Sequence, residues 1–350
     1  MLLYNTLSAI QRAKLIDAAG RARITLSFYK YHRLEDPQAF RDELYVAWEK
    51  LDVLGRIYVA QEGINAQLSV PADHFQALKD HLDGFPFLKG IRLNVAVEQH
   101  DKSFLKLKIK VRKKIVADGI EDESFDASRM GIHLRAKAFN AILAEPDTLL
   151  VDMRNHFESE IGHFQGALKP DVDTFRESLG MIAEDLQAHK EDRKVVMYCT
   201  GGIRCEKASA YFKHKGFQNV FQLEGGIIEY LRQVKAEGLE NKFLGKNFVF
   251  DHRMAEKISE DIVSACHLCG APSDTYTNCR NNACNLLFIQ CRGCSEKLEG
   301  CCSESCRGIA ALPYEAQKRL RKGHGALVKY FRRVRKPDTI GEETLPIKEA

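Results

Sequence analysis

The chain has 350 residues, of which 45% are hydrophobic and 29% charged, and its net charge is +4. This balance is typical of a soluble globular protein and excludes a chain without hydrophobic cores. The N-terminus lacks the apolar core of a signal peptide, and no apolar run approaches the ~18 residues of a transmembrane helix. The sequence therefore predicts a cytoplasmic protein of two or three domains without a membrane partner, and it leaves the oligomeric state open.

The N-terminal part of the chain predicts alternating strands and helices. After a leader segment at 1–22, a domain at 23–118 opens with the strand "RITLSFYKY", and a helix follows with Asp36 as its cap and a proline at its first position. A hairpin turning near Glu62 and Gly63, a second helix and two more strands complete the domain. The order β-α-β-β-α-β, followed by the last strand, predicts a ferredoxin-like sandwich.

The last strand of this domain carries a row of cations. Side chains alternate between the two faces of a strand, so its apolar residues define one face and its basic residues the other. We name the basic residues the strand cations: Lys106, Lys108, Lys110 and Arg112. Two interpretations are open, a solvated outer face, which suits lysine, or a surface that binds RNA phosphates.

The middle of the chain predicts a parallel sheet. Residues 119–145 are expected to form a bridging helix capped by Asp126, and 237–265 a connector. Between them, at 146–236, buried strands such as "TLLVDMR" and "KVVMYC" alternate with helices. This alternation is typical of an α/β domain whose parallel sheet is covered on both faces.

One of these buried strands ends at a cysteine, the place where α/β proteins put their chemistry. We name the segment that follows the cysteine loop: Cys199, Thr200, Gly201, Gly202, Ile203, Arg204 and Cys205. The two glycines let backbone N–H groups turn inward, and the next helix adds the positive end of its dipole. Arg204 supplies a cation or braces the loop. Together these features favour a thiolate on Cys199, or a persulfide built on it, over an inert buried cysteine.

The last residue of the cysteine loop has two possible roles. Cys205 is either a second thiol that resolves a persulfide or disulfide, or a helix cysteine that faces the sheet. The chain has no Rossmann or P-loop glycine motif, so the sequence predicts no nucleotide cofactor.

The C-terminal part of the chain is rich in cysteine, because nine of the eleven cysteines fall within 266–306. Their short spacings suit tetrahedral zinc, and so short a segment needs metal to fold. Two four-cysteine sites would use eight of the nine, with the pairing open and an iron–sulfur cluster as the rival. The predicted ligands are Cys266, Cys269, Cys279, Cys284, Cys291, Cys294, Cys301, Cys302 and Cys306. The tail at 307–350 is basic, then acidic, and is expected to be partly disordered.

The spacing within the cysteine loop separates two families of cysteine enzymes. Four residues lie between Cys199 and Arg204, one fewer than in phosphatases of the tyrosine type. The smaller loop resembles the rhodanese family, whose cysteine carries a sulfane sulfur, and "VDMRNHFESEIGHFQGAL" and "LEGGIIEY" resemble other rhodanese segments. This resemblance explains Glu158 and His163 as scaffold positions, which disfavours an iron site formed by these two residues and His156.

Nearly the whole chain resembles the bacterial rhodanese-type tRNA uridine hydroxylases. The resemblance is carried by "SFYKY", "EGINAQLSVP", "VADGI", "VDMRNH", "MYCTGGIRCEKAS", "EGGIIEY", "GKNFVFD" and "CCSESC". It implies an α/β multidomain protein with an acylphosphatase-like domain, a rhodanese domain and a cysteine-rich segment. It also implies that Cys199 is catalytic and that molecular oxygen is the co-substrate. The implied reaction converts the wobble uridine of the tRNA anticodon loop to 5-hydroxyuridine.

The residues by themselves stop short of this activity. They favour a rhodanese-like sulfurtransferase that carries a persulfide on Cys199, and this alternative stays open beside the hydroxylase. A third interpretation is a non-enzymatic RNA-binding adaptor whose loop senses redox state, which the glycine-built loop disfavours. The reductant that an oxygen-dependent reaction needs cannot be named from the sequence.

Overall fold

The computed structural model describes residue 3 and residues 5–122 and 124–321. The chain divides into two compact units. The first comprises Met1–Arg154, Gly166–Lys242 and Val249–Glu256, and the second comprises Asn155–Gln165, Phe243–Phe248 and Lys257–Ala350. Within the described part of the chain, no helix combines the length and the apolar character that crossing a membrane requires.

The first unit begins with a sandwich of helices on a sheet. Its helices are α1 (Ala9–Ala19), α2 (Pro37–Lys50) and α3 (Phe75–Asp83). Its strands are β1 (Arg23–Tyr31), β2 (Leu54–Ala60), β3 (Gly63–Pro71), β4 (Asn94–Val95) and β5 (Leu107–Val111). The strand order is β4-β1-β3-β2-β5, with β5 parallel to β2 and the other pairs antiparallel. The predicted ferredoxin-like sandwich is confirmed, and β5 extends it as an edge strand.

Local sequence signals explain how the sandwich begins. The carboxylate of Asp36 accepts the N–H groups of Gln38 and Ala39 at 3.0 and 2.9 Å, which caps α2 as predicted. The indole of Trp48 on α2 is fully buried and meets the ring of Phe28 on β1 edge to face, with 6.4 Å between the ring centroids. The apolar face of the sheet is therefore covered by helices.

The face of this sheet turned away from the helices is polar. Side chains alternate along a strand, and residues paired across neighbouring strands share a face. One row across the strands comprises Tyr29, Asn65, Tyr58 and Lys110. The next row comprises Ser27, Gln67, Arg56 and Lys108. We name these two rows the polar sheet face.

The next part of the chain forms the predicted parallel sheet. Its strands and helices are β6 (Ile132–Leu134), α4 (Ala136–Ile142), β7 (Thr148–Asp152), α5 (His156–Glu160), β8 (Gly162–Phe164), α6 (Phe175–Asp185), β9 (Lys194–Tyr198), α7 (Ile203–His214), β10 (Asn219–Leu223) and α8 (Gly226–Glu237). The parallel order is β6-β10-β9-β7, while α5 and β8 belong to the second unit. Val195 and Met197 of β9 pack with α6 and α7 in one core cluster.

The bridging helix predicted over 119–145 is wrong in its first half. Ile132–Leu134 instead pairs with β10 as a parallel edge strand, and α4 starts at Ala136. The N–H of Gly131 donates to Ser209 Oγ at 2.9 Å, which anchors the start of this strand. Asp126 accepts the N–H of Ser128 at 2.8 Å and so stabilises a turn rather than a helix. Long-range pairing outweighs the local helix signal here.

The second unit contains the remaining elements, apart from the first residues of one strand. They are β11 (Phe243–Phe248), β12 (Ala255–Lys257), β13 (Tyr276–Asn278), β14 (Leu287–Ile289), α9 (Arg292–Leu298), α10 (Glu304–Ala310) and α11 (Tyr314–Arg321). The predicted connector thus contains strands, and β11 pairs antiparallel with β8. The rings of Phe157 and Tyr276 meet the ring of Phe248 edge to face. Of the predicted basic tail, residues 322–350 lie outside the described residues.

Candidate active site

The cysteine loop joins the end of β9 to the start of α7. Cys199 is fully buried, and its Sγ accepts the N–H of Gly202 at 3.2 Å. Gly202 has φ 97° and precedes the first residue of α7. This positive φ favours glycine, and a β-carbon at Gly202 would also lie 2.8 Å from the hydroxyl oxygen of Tyr29.

A second glycine turn supports the cysteine loop from behind. The N–H groups of Ile227 and Ile228 donate to the carbonyls of Cys199 and Thr200 at 3.0 and 3.3 Å. A β-carbon at Gly226, which has φ 68°, would come within 2.7 Å of three backbone atoms of the loop. The segment "LEGGIIEY" therefore fixes the loop carbonyls and leaves the loop N–H groups to turn toward the sulfur.

The electrostatics of the loop favour a thiolate on Cys199. Burial raises the pKa of this thiol, but the hydrogen bond from Cys205, the charge of Arg204 and nearby backbone N–H groups outweigh it and lower the pKa from 9.0 to about 6. Burial and the adjacent Cys199 raise the pKa of Cys205 well above its ordinary value. Cys205 therefore stays protonated and donates to the Cys199 thiolate, while its side chain also belongs to the core cluster.

A buried ion pair holds the strand ends beside the loop. Asp152 and Arg154 are both fully buried, and the guanidinium donates to both carboxylate oxygens of Asp152. The hydroxyl of Tyr198, the residue before Cys199, donates to Asp152 Oδ2 at 2.7 Å. These contacts tie the ends of β7 and β9 together, which gives the cysteine a rigid support.

A cavity of about 350 Å³ lies against the cysteine loop. The loop lines it with Cys199, Thr200, Gly201, Ile203 and Arg204. The N-terminal sandwich lines it with residues of the polar sheet face, which include Ser27, Tyr29, Arg56, Tyr58, Asn65 and Gln67. The residues of β1, β2 and β3 on the polar sheet face therefore form a wall of the Cys199 cavity, while Lys108 and Lys110 at its edge are exposed.

Hydrogen bonds and ion pairs join the sandwich to α7 around this cavity. The hydroxyl of Tyr29 donates to Glu206 Oε1 at 2.9 Å. The ammonium of Lys207 lies 2.6 Å from Glu62 Oε2 and 2.8 Å from Asp118 Oδ2, and the Lys207 side chain is 4% exposed. The two residues that follow Cys205 along α7 thus bind the N-terminal sandwich to the helix that carries the cysteine loop.

The strand cations lie at one edge of the polar sheet face. Lys108, Lys110 and Arg112 are exposed on or next to β5, and Lys106 is half-buried. Lys108 and Lys110 pair in register with Arg56 and Tyr58 on β2. The guanidinium of Arg112 lies 5.7 Å from the centroid of the Tyr58 ring, which itself lines the cavity. A row of positive charge therefore runs along the sheet that forms the cavity wall.

Eight of the nine C-terminal cysteines form two groups of four. The first cysteine cluster is Cys266, Cys269, Cys291 and Cys294, and the second is Cys279, Cys284, Cys302 and Cys306. The sulfur atoms within each cluster lie within 4.8 Å of one another, with individual separations of 3.6 to 3.7 Å. Four sulfurs at the usual Zn–S distance of ~2.3 Å are about 3.8 Å apart, so the geometry fits tetrahedral zinc. Cys301 belongs to neither cluster.

Three family models match the chain in sequence. They are the UPF0176 acylphosphatase like domain at 23–115, the Rhodanese-like domain at 135–233 and the Rhodanase C-terminal at 244–307. A tRNA uridine(34) hydroxylase of Yersinia enterocolitica is 54% identical over 331 residues, which is 94% of each chain. The chain belongs to the tRNA uridine(34) hydroxylase family. A member from Escherichia fergusonii is 53% identical over 95% of each chain.

A rhodanese-like domain protein from Staphylococcus aureus is 20% identical, with a TM-score of 0.24. The match covers 28% of this chain and 90% of that chain.

The alternative iron site does not form a ligand cluster. Glu158 accepts the N–H of Asn155 at 3.0 Å and closes the capping box of α5. His163 Nδ1 lies 2.9 Å from the carbonyl oxygen of Ser159. Across residues 5–122 and 124–321, the groups of potential metal ligands are the two cysteine clusters, and neither includes these side chains.

The sequence reasoning missed the cavity wall contributed by the sandwich. Its residues are uncharged or singly charged polar side chains at alternate positions of β1, β2 and β3. The signal that could have found them is this alternation, because Ser27, Asn65 and Gln67 lack the lysine and glutamate character typical of a solvated sheet face.

Proposed function

We propose that this chain hydroxylates C5 of uridine 34, the wobble position of tRNA, and forms 5-hydroxyuridine with molecular oxygen as co-substrate. The observation that carries the proposal is the Cys199 thiolate in a cavity walled by the polar sheet face. Membership of the tRNA uridine(34) hydroxylase family supports the substrate and the reaction type. The name of those relatives supports tRNA as the partner.

The proposed role of Cys199 is nucleophilic. Its sulfur adds to C6 of uracil, and the electron pair of the C5–C6 double bond becomes an enolate over C5 and O4. C5 is then electron-rich and attacks an electrophilic oxygen species, which forms the C5–O bond. Loss of the C5 proton and departure of the thiolate from C6 restore the double bond. Oxygen accepts two electrons from uracil and two from a separate two-electron reductant, and its second atom leaves as water.

The surroundings of the cavity support a single-stranded RNA substrate. A volume of about 350 Å³ lies at the low end of the ~300–1,000 Å³ typical of small-molecule sites, so it suits one base. An anticodon loop is single-stranded, so a base enters a pocket without the opening of a duplex. We propose that the strand cations bind the phosphates that flank the wobble nucleotide, since they share a sheet with the cavity wall.

We propose that the two cysteine clusters each bind one zinc ion in a structural role. Four protein ligands leave no open position for a substrate, which is typical of structural zinc. In an iron–sulfur cluster, thiolates bound to different irons lie further apart than the 4.8 Å within which all four sulfurs of each cysteine cluster lie. Short-range zinc coordination would stabilise a segment with little apolar core of its own.

The test is the nucleoside composition of tRNA from cells that lack this protein and express variants of it. We expect wild type grown in air to restore 5-hydroxyuridine, and Cys199→Ala to abolish it. The matched control is Cys301→Ala, because Cys301 is also buried but lies outside the loop and both clusters. Normal 5-hydroxyuridine in cells with a folded Cys199→Ala protein would contradict the proposed role of Cys199.

The stabilised thiolate also supports a second candidate, a sulfurtransferase that carries a persulfide on Cys199. The same nucleosides distinguish it. Persistence of 5-hydroxyuridine together with loss of a thiolated nucleoside would favour sulfur transfer over hydroxylation. Restoration without oxygen would contradict molecular oxygen as the co-substrate.

A further inference from the structure

Two residues of the Cys199 cavity each carry a buried oxygen without a hydrogen-bond partner. They are Asn94, which is 6% exposed, and Glu256, which is 1% exposed. The atoms are Asn94 Oδ1 and Glu256 Oε2. Among the described residues that line the cavity, these two share this feature. A buried polar atom without a partner destabilises a protein, so the feature points to a partner that arrives with the substrate.

Asn94 lies beside the cysteine loop, and the segment that carries Asn94 also contacts Glu256. The Nδ2 atom of Asn94 is 3.6 Å from the position that a β-carbon on Gly201 would occupy, which puts the amide beside the cysteine loop. Glu256 Oε1 accepts the N–H of Val97, three residues after Asn94, at 3.0 Å. The segment that begins at β4 therefore carries one group and anchors the other.

Burial and an ion pair with Arg253, whose Nη1 lies 2.5 Å from Glu256 Oε1, act on the pKa of Glu256 in opposite directions. Burial raises its pKa above the ordinary value, and the charge of Arg253 only partly opposes this. Arg253 also donates to both carboxylate oxygens of Asp251, at 2.8 and 2.5 Å, so its charge is shared between two acids. A neutral carboxyl group has an O–H to donate, and Oε2 is the oxygen without a partner.

We propose that Asn94 and Glu256 recognise the hydrogen-bonding edge of uracil in the Cys199 cavity. This inference rests on the proposed function and names how that site selects its base. Uracil presents an N3–H donor between two carbonyl acceptors. Asn94 Oδ1 accepts N3–H, and the carboxyl group of Glu256 donates from Oε2 to a flanking carbonyl.

The same contacts reject cytosine. Its N3 is an acceptor, so it would face Asn94 Oδ1 with no hydrogen between the two atoms. Two buried acceptors in contact oppose binding, and a site built to hydrogen-bond one edge discriminates strongly against the other. Selection of uridine over cytidine thus comes from the sandwich and the segment around Glu256, while the cysteine loop supplies the nucleophile.

Binding of anticodon stem-loop RNA with uridine or cytidine at the wobble position tests the role of Asn94. We expect wild type to prefer the uridine RNA by about 10- to 100-fold. Asn94→Leu should lose this preference and bind the cytidine RNA as wild type does. The control is Asn247→Leu, because Asn247 is also buried with unpartnered amide atoms but does not line the cavity. Full preference in Asn94→Leu would overturn the inference.

Hydroxylation of uridine 34 in cells tests the role of Glu256. Glu256→Gln keeps the acceptor for Val97 and Arg253 and keeps a donor at the second position, so we expect activity within a few-fold of wild type. Glu256→Leu removes the donor and should lower the hydroxylated fraction at least tenfold. If Gln and Leu lose activity equally in folded protein, Glu256 acts as a carboxylate and its part of the inference is wrong.

The outcomes separate this inference from the proposed function. A wild-type protein that does not restore 5-hydroxyuridine contradicts the function itself. A wild-type protein that restores it, with unchanged uridine preference in Asn94→Leu, overturns only the recognition of the base. Thermal unfolding and alkylation of Cys199 establish that each variant keeps the fold and the reactive thiol.

Discussion

Replacement of Cys205 by alanine should raise the pKa of Cys199. The thiol of Cys205 donates to the Cys199 thiolate, and a hydrogen bond to a charged group contributes about 1.5–3 kcal/mol. At 1.36 kcal/mol per unit, its loss raises the pKa from about 6 by roughly 1–2 units. At pH 7 the thiolate fraction then falls from about nine-tenths to between about a half and a tenth.

The pH dependence of alkylation by iodoacetamide measures this change. Trypsin cleaves after Lys194 and Arg204, so the peptide 195–204 contains Cys199 as its one cysteine and reports on it alone by mass spectrometry. Cys205→Ser is the matched control, because its hydroxyl keeps a donor at that position and should shift the midpoint less than alanine does. An unchanged midpoint in Cys205→Ala would refute the reasoning and leave Arg204 and the backbone N–H groups as the source of the lowered pKa.

The remaining predictions concern stability, metal content and RNA affinity. Folding lowers the pKa of Cys199 from 9.0 to about 6, so its thiolate stabilises the folded state by on the order of 4 kcal/mol. This contribution is complete above about pH 9 and is lost as the pH falls through 6. Thermal unfolding should therefore show wild type gaining stability over Cys199→Ala between pH 6 and pH 9, and parallel curves would argue against the shift. Metal analysis of protein purified without chelator should find two zinc ions per chain. Cys302→Ser should lose one of them, and the control Cys301→Ser should keep both. Iron with visible absorption, or folded protein without metal, would contradict the zinc prediction. Reversal of the strand cations to glutamate should weaken tRNA binding and flatten its dependence on salt, by about 0.7 in logarithmic slope for each lost contact to single-stranded RNA. Reversal of Lys50 and Lys79, on the opposite side of the sandwich, should leave tRNA binding and its salt dependence unchanged. Equal effects in both variants would indicate that the strand cations are a solvated surface without a role in RNA binding.

The features that the sequence predicted well depend on neighbours in the chain. The strand Arg23–Tyr31 and the Asp36 cap follow from side-chain alternation and from a carboxylate within reach of the next N–H groups. The Cys199 loop is also local, because its glycines, its arginine and the start of the following helix lie within seven residues. The resemblance to a known family added predictions of the fold class and the reaction, which the local signals alone do not give.

Tertiary structure decided what depends on segments far apart in the chain. Folding decides which cysteines share a metal cluster, for example Cys266 with Cys291 and Cys279 with Cys302. The short spacings between cysteines along the chain would fit several other groupings. Ile132–Leu134 became a strand because β10 offered backbone partners that no local pattern reveals. The Cys199 cavity needs the sandwich to close over a loop about 170 residues away, which spacing cannot encode. The sequence by itself therefore predicts which cysteine is reactive, while the packing of the sandwich against the loop decides which residues that cysteine faces.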